Sequence, residues 1–212
     1  MLVSAEIRWF WRRDPPPGLH DWFCGTRHHP CRARGGQERV DRYLRDPDQT
    51  ELGLKLRGGG KGVQVKGLID VVSDGVAAAP FTGPVEIWCK WTSDGLRLRP
   101  STTIAVEKQR RMRKFDATVH PPKEVPLGAN EKPANGRPLP DLGCNVELTQ
   151  VKPPNGEVWW TFCFEAFGTP ETVVNDLRAT AEALASRTPP PLDGGLIASY
   201  PTWLAHLLRG DT

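Results

Sequence analysis

Period-two alternation, repeated in segment after segment with charge on one face, constrains this chain more than any other feature. From Val3 to Trp11, residues Val3, Ala5, Ile7, Trp9 and Trp11 share one face while Ser4, Glu6, Arg8 and Phe10 share the other, because successive side chains of a strand point to opposite sides. Leu52 to Arg57 repeats the pattern, with Leu52, Leu54 and Leu56 set against Gly53, Lys55 and Arg57. It continues with Val63 and Val65 against Gln64 and Lys66, and with Val85, Ile87, Cys89 and Trp91 against Glu86, Trp88 and Lys90. Further strands are expected at Thr102 to Lys114, Gly143 to Val151 and Val158 to Phe167. The last two are joined through Pro153-Pro154-Asn155-Gly156, whose Asn-Gly step suits a hairpin turn.

Helical pattern is confined to Gln37 to Arg45, Pro170 to Arg187 and Tyr200 to Leu208. Thr169-Pro170-Glu171 offers proline at a first helical position, and Pro189-Pro190-Pro191 stops the run. Residues 20–36 and 120–141 read as loop insertions, the first without a period and the second rich in proline. With 21 Gly and 21 Pro among 212 residues, turn-rich β structure is favoured over a helical bundle. The expected organisation is a single domain over residues 1–212, carrying those two insertions and a C-terminal helical segment at 170–208.

An ordinary sheet with one wet face accounts for any of these strands taken alone. Taken together, the polar faces carry Glu6, Arg8, Lys55, Arg57, Lys66, Glu86, Lys90, Glu147 and Glu165, while the opposite faces carry Trp, Leu, Val and Ile that need a covering layer. A closed barrel with a charged interior meets both demands. The expected class is therefore α+β, a predominantly antiparallel closed or nearly closed β-barrel, a tunnel, with flanking helices. The net charge is only +3, but Leu52 to Asp116 holds 12 Lys and Arg against six Asp and Glu, so if the function involves an anion, that stretch is expected to hold it. Arginine and lysine in a channel suit phosphate oxygens, and carboxylates beside them suit Mg²⁺ or Mn²⁺.

The order of the motifs is telling. Ser4-Ala5-Glu6-Ile7-Arg8-Trp9 opens the chain, and Asp41-Arg42-Tyr43-Leu44, Leu52-Gly53-Leu54-Lys55-Leu56-Arg57, Val65-Lys66-Gly67 and Val106-Glu107-Lys108-Gln109-Arg110 follow. Glu147 and Glu165 come late, and Ser199-Tyr200-Pro201-Thr202-Trp203-Leu204 lies near the end. Over roughly residues 3 to 208 this succession resembles the CYTH superfamily, the triphosphate tunnel metalloenzymes. Its opening Glu-x-Glu-x-Lys matches through Glu6 and Arg8, its Asp-x-Tyr through Asp41 and Tyr43, and its Val-x-Lys-x-Arg through Val106, Lys108 and Arg110.

The resemblance implies metal-dependent binding and hydrolysis of a triphosphate-containing compound, whether inorganic triphosphate, a nucleotide or an RNA 5′ end. A triphosphatase-type phosphohydrolase is expected ahead of an adenylyl cyclase. Under it, Glu6 and Glu165 are the catalytic carboxylates, Glu6, Glu147 and Glu165 hold Mg²⁺ or Mn²⁺, and Arg8, Lys55, Arg57, Lys66, Lys108 and Arg110 hold phosphate. Ser4 and Phe167 stand where the family offers carboxylates, so half of each acidic pair is missing while the cations are nearly complete. That asymmetry implies one metal rather than two. It also motivates an alternative, a non-catalytic module for a phosphate ligand, nucleotide or RNA end that has lost part of the metal site.

Three other features are weaker. His20, Cys24, His28, His29 and Cys31 are zinc-type ligands without a Cys-x2-Cys knuckle, and an unliganded loop is the expectation. Arg110-Arg111-x-Arg113-Lys114 and Trp159-Trp160 have the chemistry of a nucleic-acid track, but a solvated strand end and outward core packing account for them. Gly58-Gly59-Gly60-Lys61 lacks the spacing of a phosphate-binding loop and reads as a hairpin turn. Five cysteines at irregular spacing, no basic leader and no apolar run of ~18 residues point to a cytoplasmic protein with no membrane partner.

Overall fold

A computed structural model describes residues 2–25, 37–58, 62–128, 131–134, 136 and 138–210. The chain forms, in order, β1 (Leu2–Arg12), α1 (Leu19–Cys24), β2 (Gln37–Leu44), β3 (Leu52–Arg57), β4 (Val63–Ala78), β5 (Phe81–Ser93), β6 (Thr103–Asp116) and β7 (Lys123–Val125). There follow β8 (Gly143–Lys152), β9 (Trp159–Gly168), α2 (Val173–Ala185), β10 (Leu196–Ile197) and α3 (Tyr200–Arg209). Among the described residues, eight strands pair antiparallel in the order β1-β5-β4-β3-β2-β6-β8-β9, and β9 returns to β1. That last ladder runs from Val3 opposite Gly168 to Arg12 opposite Trp159 and closes the barrel. On its other edge β1 pairs with β5 as far as Glu6 and then with β10 at Trp9 and Phe10, so the same strand serves two neighbours.

Alternation sorts the side chains as the sequence predicts. On the outside, Ala5, Ile7, Trp9 and Trp11 join Val146, Leu148, Phe162, Phe164 and Ala166 in one buried apolar cluster. It is covered by α2 through Val173, Leu177, Ala181 and Leu184, a single stripe at helical spacing. Short α1 adds Leu19 and Phe23. Helix α2 is tied down where Arg178 Nε donates to the Gly75 carbonyl at 2.6 Å. It starts at Val173 rather than at Pro170 because Thr169 to Thr172 form the turn leading in, with the Val173 amide donating to Thr169 O at 3.2 Å.

Inside, charge occupies only part of the barrel. Towards one end the inward positions become Phe10, Tyr43, Val106, Val151 and Trp159, and α3 inserts Trp203 and Leu204 among them. Phe10 and Trp203 stack at 4.8 Å between ring centroids, and Tyr43 stacks on Tyr200 at 5.5 Å. Ser199 caps α3 by accepting from the Thr202 amide at 3.4 Å. Gly53 lets β3 run close beneath that helix, since a Cβ there would sit 3.2 Å from Pro201 Cγ. The interior is therefore a cup, floored by aromatic rings.

Several expectations are corrected. The segment read as a helix over Gln37 to Arg45 is a strand over Gln37–Leu44; Arg39, Asp41 and Tyr43 point inward while Val40 is 42% exposed, and charges on both faces disguise the period of two. Part of the stretch 20–36 is helical, since α1 extends to Cys24, and β7 lies within 120–141. Trp159 packs inward against Trp203, at 5.8 Å, not outward. Arg113 and Lys114 are buried rather than at a solvated strand end, with Arg113 forked onto Glu124. His28, His29, Cys31 and Gly59 to Lys61 lie outside the described residues; of the zinc-type set, His20 Nε2 and Cys24 Sγ are 3.8 Å apart on α1. Among the described residues no helix is long and apolar enough to cross a membrane.

Candidate anion-binding cavity

Above the aromatic floor lies a cavity of about 560 Å³, and the nine residues singled out from the sequence all line it: Glu6, Arg8, Lys55, Arg57, Lys66, Lys108, Arg110, Glu147 and Glu165. Register explains the convergence. Glu6 on β1 faces Glu165 on β9, Lys55 on β3 faces Tyr43 on β2, and Arg110 on β6 faces Thr149 on β8. Residues directly opposite in an antiparallel pair share a face, so the polar faces of eight strands meet around one space.

Two further cations line it that the sequence reading did not place in the site, Arg39 on β2 and Lys90 on β5. Lys90 carried a readable signal, since it shares parity with Glu86 and stands opposite Lys66. Arg39 was hidden by the helical reading of its segment. Tyr43, Thr149 and Tyr200 complete the polar lining near the floor.

The cavity thus presents eight Lys and Arg against three Glu, and each Glu is held by a cation. Glu6 accepts from Arg8 Nε at 3.0 Å and Lys66 Nζ at 2.5 Å. Glu147 accepts from Arg110 Nη1 at 2.9 Å, with Arg8 Nη2 at 3.9 Å, so Arg8 lies between two carboxylates. Lys90 donates to Glu165, and Glu131 also receives Arg110. Deeper, Asp41 is 3.4 Å from both Lys108 Nζ and Arg39 Nε, and Lys108 donates to the Tyr43 hydroxyl at 2.5 Å while lying 3.5 Å from the Tyr200 ring centroid. Among the described residues, Lys55 and Arg57 have no carboxylate partner, and the buried Thr149 hydroxyl has no hydrogen-bond partner.

Electrostatics follow from this pairing. Burial raises the Glu6 carboxyl, but Lys66, Arg8 and Lys90 together hold it well below the usual carboxylate range. Burial likewise opposes ionisation of Glu147, and Arg110 and Arg8 reverse it, bringing the group to about 2. Glu86, opposite Glu6 on β5, moves the other way under burial and the Glu6 charge. Burial lowers Lys55 to about 8; Asp41 opposes this, while Arg57, Arg39 and Lys66 reinforce it.

No protein-family model matches this chain, and no curated protein matches it. The donor set itself can be tested against the Mg²⁺ or Mn²⁺ that the resemblance implies. Carboxylate oxygens are the right chemistry for either ion, but Glu6, Glu147 and Glu165 are engaged by Arg8, Lys66, Lys90 and Arg110. Among the described residues no three Asp, Glu, His or Cys side chains are grouped so as to hold an ion. As arranged, these carboxylates do not fit a metal site.

Proposed function

We propose that the barrel binds the phosphate chain of a triphosphate-containing compound, such as inorganic triphosphate, a nucleotide or an RNA 5′-triphosphate. The observation that carries this reading is the excess of cations lining one cavity, eight against its three glutamates together with Asp41 and Glu131, which pair with Arg39, Lys108 and Arg110, and with Lys55 and Arg57 left without a carboxylate partner among the described residues. A cavity with low-dielectric walls focuses such charge, and guanidinium forks match phosphate oxygens. The likeness to the CYTH superfamily in motif order supports the same reading, as does a closed antiparallel barrel with its charged residues inside.

The hydrolytic activity implied by that likeness is a separate matter, because the carboxylates that would hold the metal are engaged with Arg8, Lys66, Lys90 and Arg110. Binding is therefore the function the geometry supports best. Calorimetric titration with inorganic triphosphate, ATP and a 5′-triphosphorylated oligonucleotide tests it, together with phosphate release under Mg²⁺ and Mn²⁺ on the same sample. Saturable binding that weakens with salt is expected, since the attraction is largely Coulombic. Absence of binding by all three compounds at low salt rejects the proposal; release of phosphate that depends on either metal would add hydrolysis to it.

A further inference from the structure

We infer that the cavity glutamates act as internal counter-ions which a phosphate chain displaces, so that polyphosphate binds to the cations of this chain without a divalent metal. The inference rests on the reading of the cavity as a triphosphate site and concerns how that site is neutralised.

Its basis is that every glutamate lining the cavity is already engaged by at least one cation. Glu165 is held by Lys90, Glu6 is shared by Lys66 and Arg8, and Glu147 is shared by Arg110 and Arg8. A metal ligand set requires the opposite arrangement, several carboxylates facing one point with their lone pairs unshared. Eight cations confined in one cavity repel one another strongly, and acidic side chains interleaved among them relieve that repulsion in the absence of ligand.

An incoming phosphate chain offers Lys90, Lys66 and Arg110 oxygens of higher charge density than a carboxylate, and it meets Lys55, Arg57 and the Thr149 hydroxyl, which pair with no carboxylate among the described residues. Binding is then an exchange of counter-ions with no bond made or broken. Magnesium opposes it, because the ion binds free triphosphate, lowers its charge and weakens its attraction to a cavity with a net excess of cations.

Glu165 is the discriminating position. Its side chain is 22% exposed, whereas that of Glu6 is 2% exposed and its loss would strand Arg8 and Lys66 in the interior. Glu165→Gln keeps the shape and releases Lys90. Inorganic triphosphate titrated into wild type by calorimetry is expected to bind in the presence of a chelator at least as tightly as in Mg²⁺. Glu165→Gln is expected to bind about two- to tenfold more tightly in chelator. Lys90→Gln, which removes the cation instead, is expected to bind more weakly than wild type and provides a second reading should Glu165→Gln fail to fold.

Wild-type binding that appears only with Mg²⁺ or Mn²⁺ would overturn the inference while leaving the triphosphate reading intact. Loss of chelator-resistant binding in Glu165→Gln with a native melting curve would do the same, and so would a Lys90→Gln variant that binds as wild type does. Failure of wild type to bind triphosphate in both conditions overturns the triphosphate reading itself, and this inference with it.

Discussion

The two halves of the barrel interior are made by the same strands and have opposite chemistry. Along β1 the inward positions pass from Glu6 and Arg8 to Phe10; along β6 they pass from Arg110 and Lys108 to Val106; along β8 they pass from Glu147 and Thr149 to Val151. The charged half holds cations that repel one another, and nothing in it packs as a core does. The aromatic half, sealed by Trp203 and Leu204 of α3, is a packed core. Ring packing stabilises one end of the lumen, while ion pairs stabilise the other and give it its binding capacity, and short-range contacts such as Lys108 to Tyr200 join them.

The largest effect expected from this division is on stability. Trp203 is fully buried and in ring contact with Phe10, Trp159 and Tyr200, so Trp203→Ala is expected to destabilise the fold by about 3 to 5 kcal/mol. Thermal or urea unfolding measures it, and an unchanged midpoint would break the division at once.

Next in size is the acid response of the charged half. Glu147 is held near 2 in the folded protein against an ordinary value of 4.5, so its contribution is fully present above the unfolded value and is lost as pH falls from about 4.5 towards 2. By linkage this amounts to roughly 3 kcal/mol. Urea titrations at pH 6 and pH 3 on wild type and Glu147→Gln should show a smaller fall in the variant. Equal falls would remove Glu147 from the account.

A smaller effect, on affinity, is expected at Lys55, which has no carboxylate partner among the described residues. Lys55→Gln should weaken inorganic triphosphate by about tenfold or more and leave stability at pH 7 unchanged or raised, because burial and the neighbouring Arg57, Arg39 and Lys66 disfavour the Lys55 charge in the folded protein. A variant that loses stability and keeps affinity would reverse the assignment of the two halves.

The smallest effect is a pH dependence. Burial together with Arg57, Arg39 and Lys66 brings Lys55 to about 8 against the opposing charge of Asp41, and the Tyr43 ring lies 6.0 Å away. Lys55 is charged below that value and neutral above it, and burial with the Lys66 charge brings Lys90 to about 7, so affinity for triphosphate should fall between pH 7 and pH 9 in wild type through both lysines. Lys55→Arg keeps its charge across the range and should fall less, and identical profiles would place the titration elsewhere.

What was legible in the sequence was the direction of side chains. Glu6 against Ile7, Lys66 against Val65 and Glu147 against Leu148 are separated by parity alone, and parity survives any tertiary arrangement of a strand. The fold class followed, because charged faces on many strands with apolar opposite faces leave few ways to close a sheet. The β2 segment was illegible for the converse reason. Arg39, Val40, Asp41 and Arg42 mix charge on both faces, and only ion pairing across strands to Lys108 distinguishes the inward Asp41 from the outward Arg42.

The sequence by itself thus determined, outside β2, which residues share a face, where α2 and α3 run, and that charge is concentrated on the inward side of the strands. Tertiary structure alone decided that α3 stops one end of the lumen, that Phe10 and Trp159 belong to its floor, and that Arg39 joins the cavity. It also decided which cation holds which carboxylate. Lys90 and Glu165 are separated in the chain by 75 positions, and their contact is set by a barrel that closes only when β9 returns to β1. Local pattern encodes direction, which is a property of neighbouring residues; partnership depends on closure, which is a property of the whole sheet.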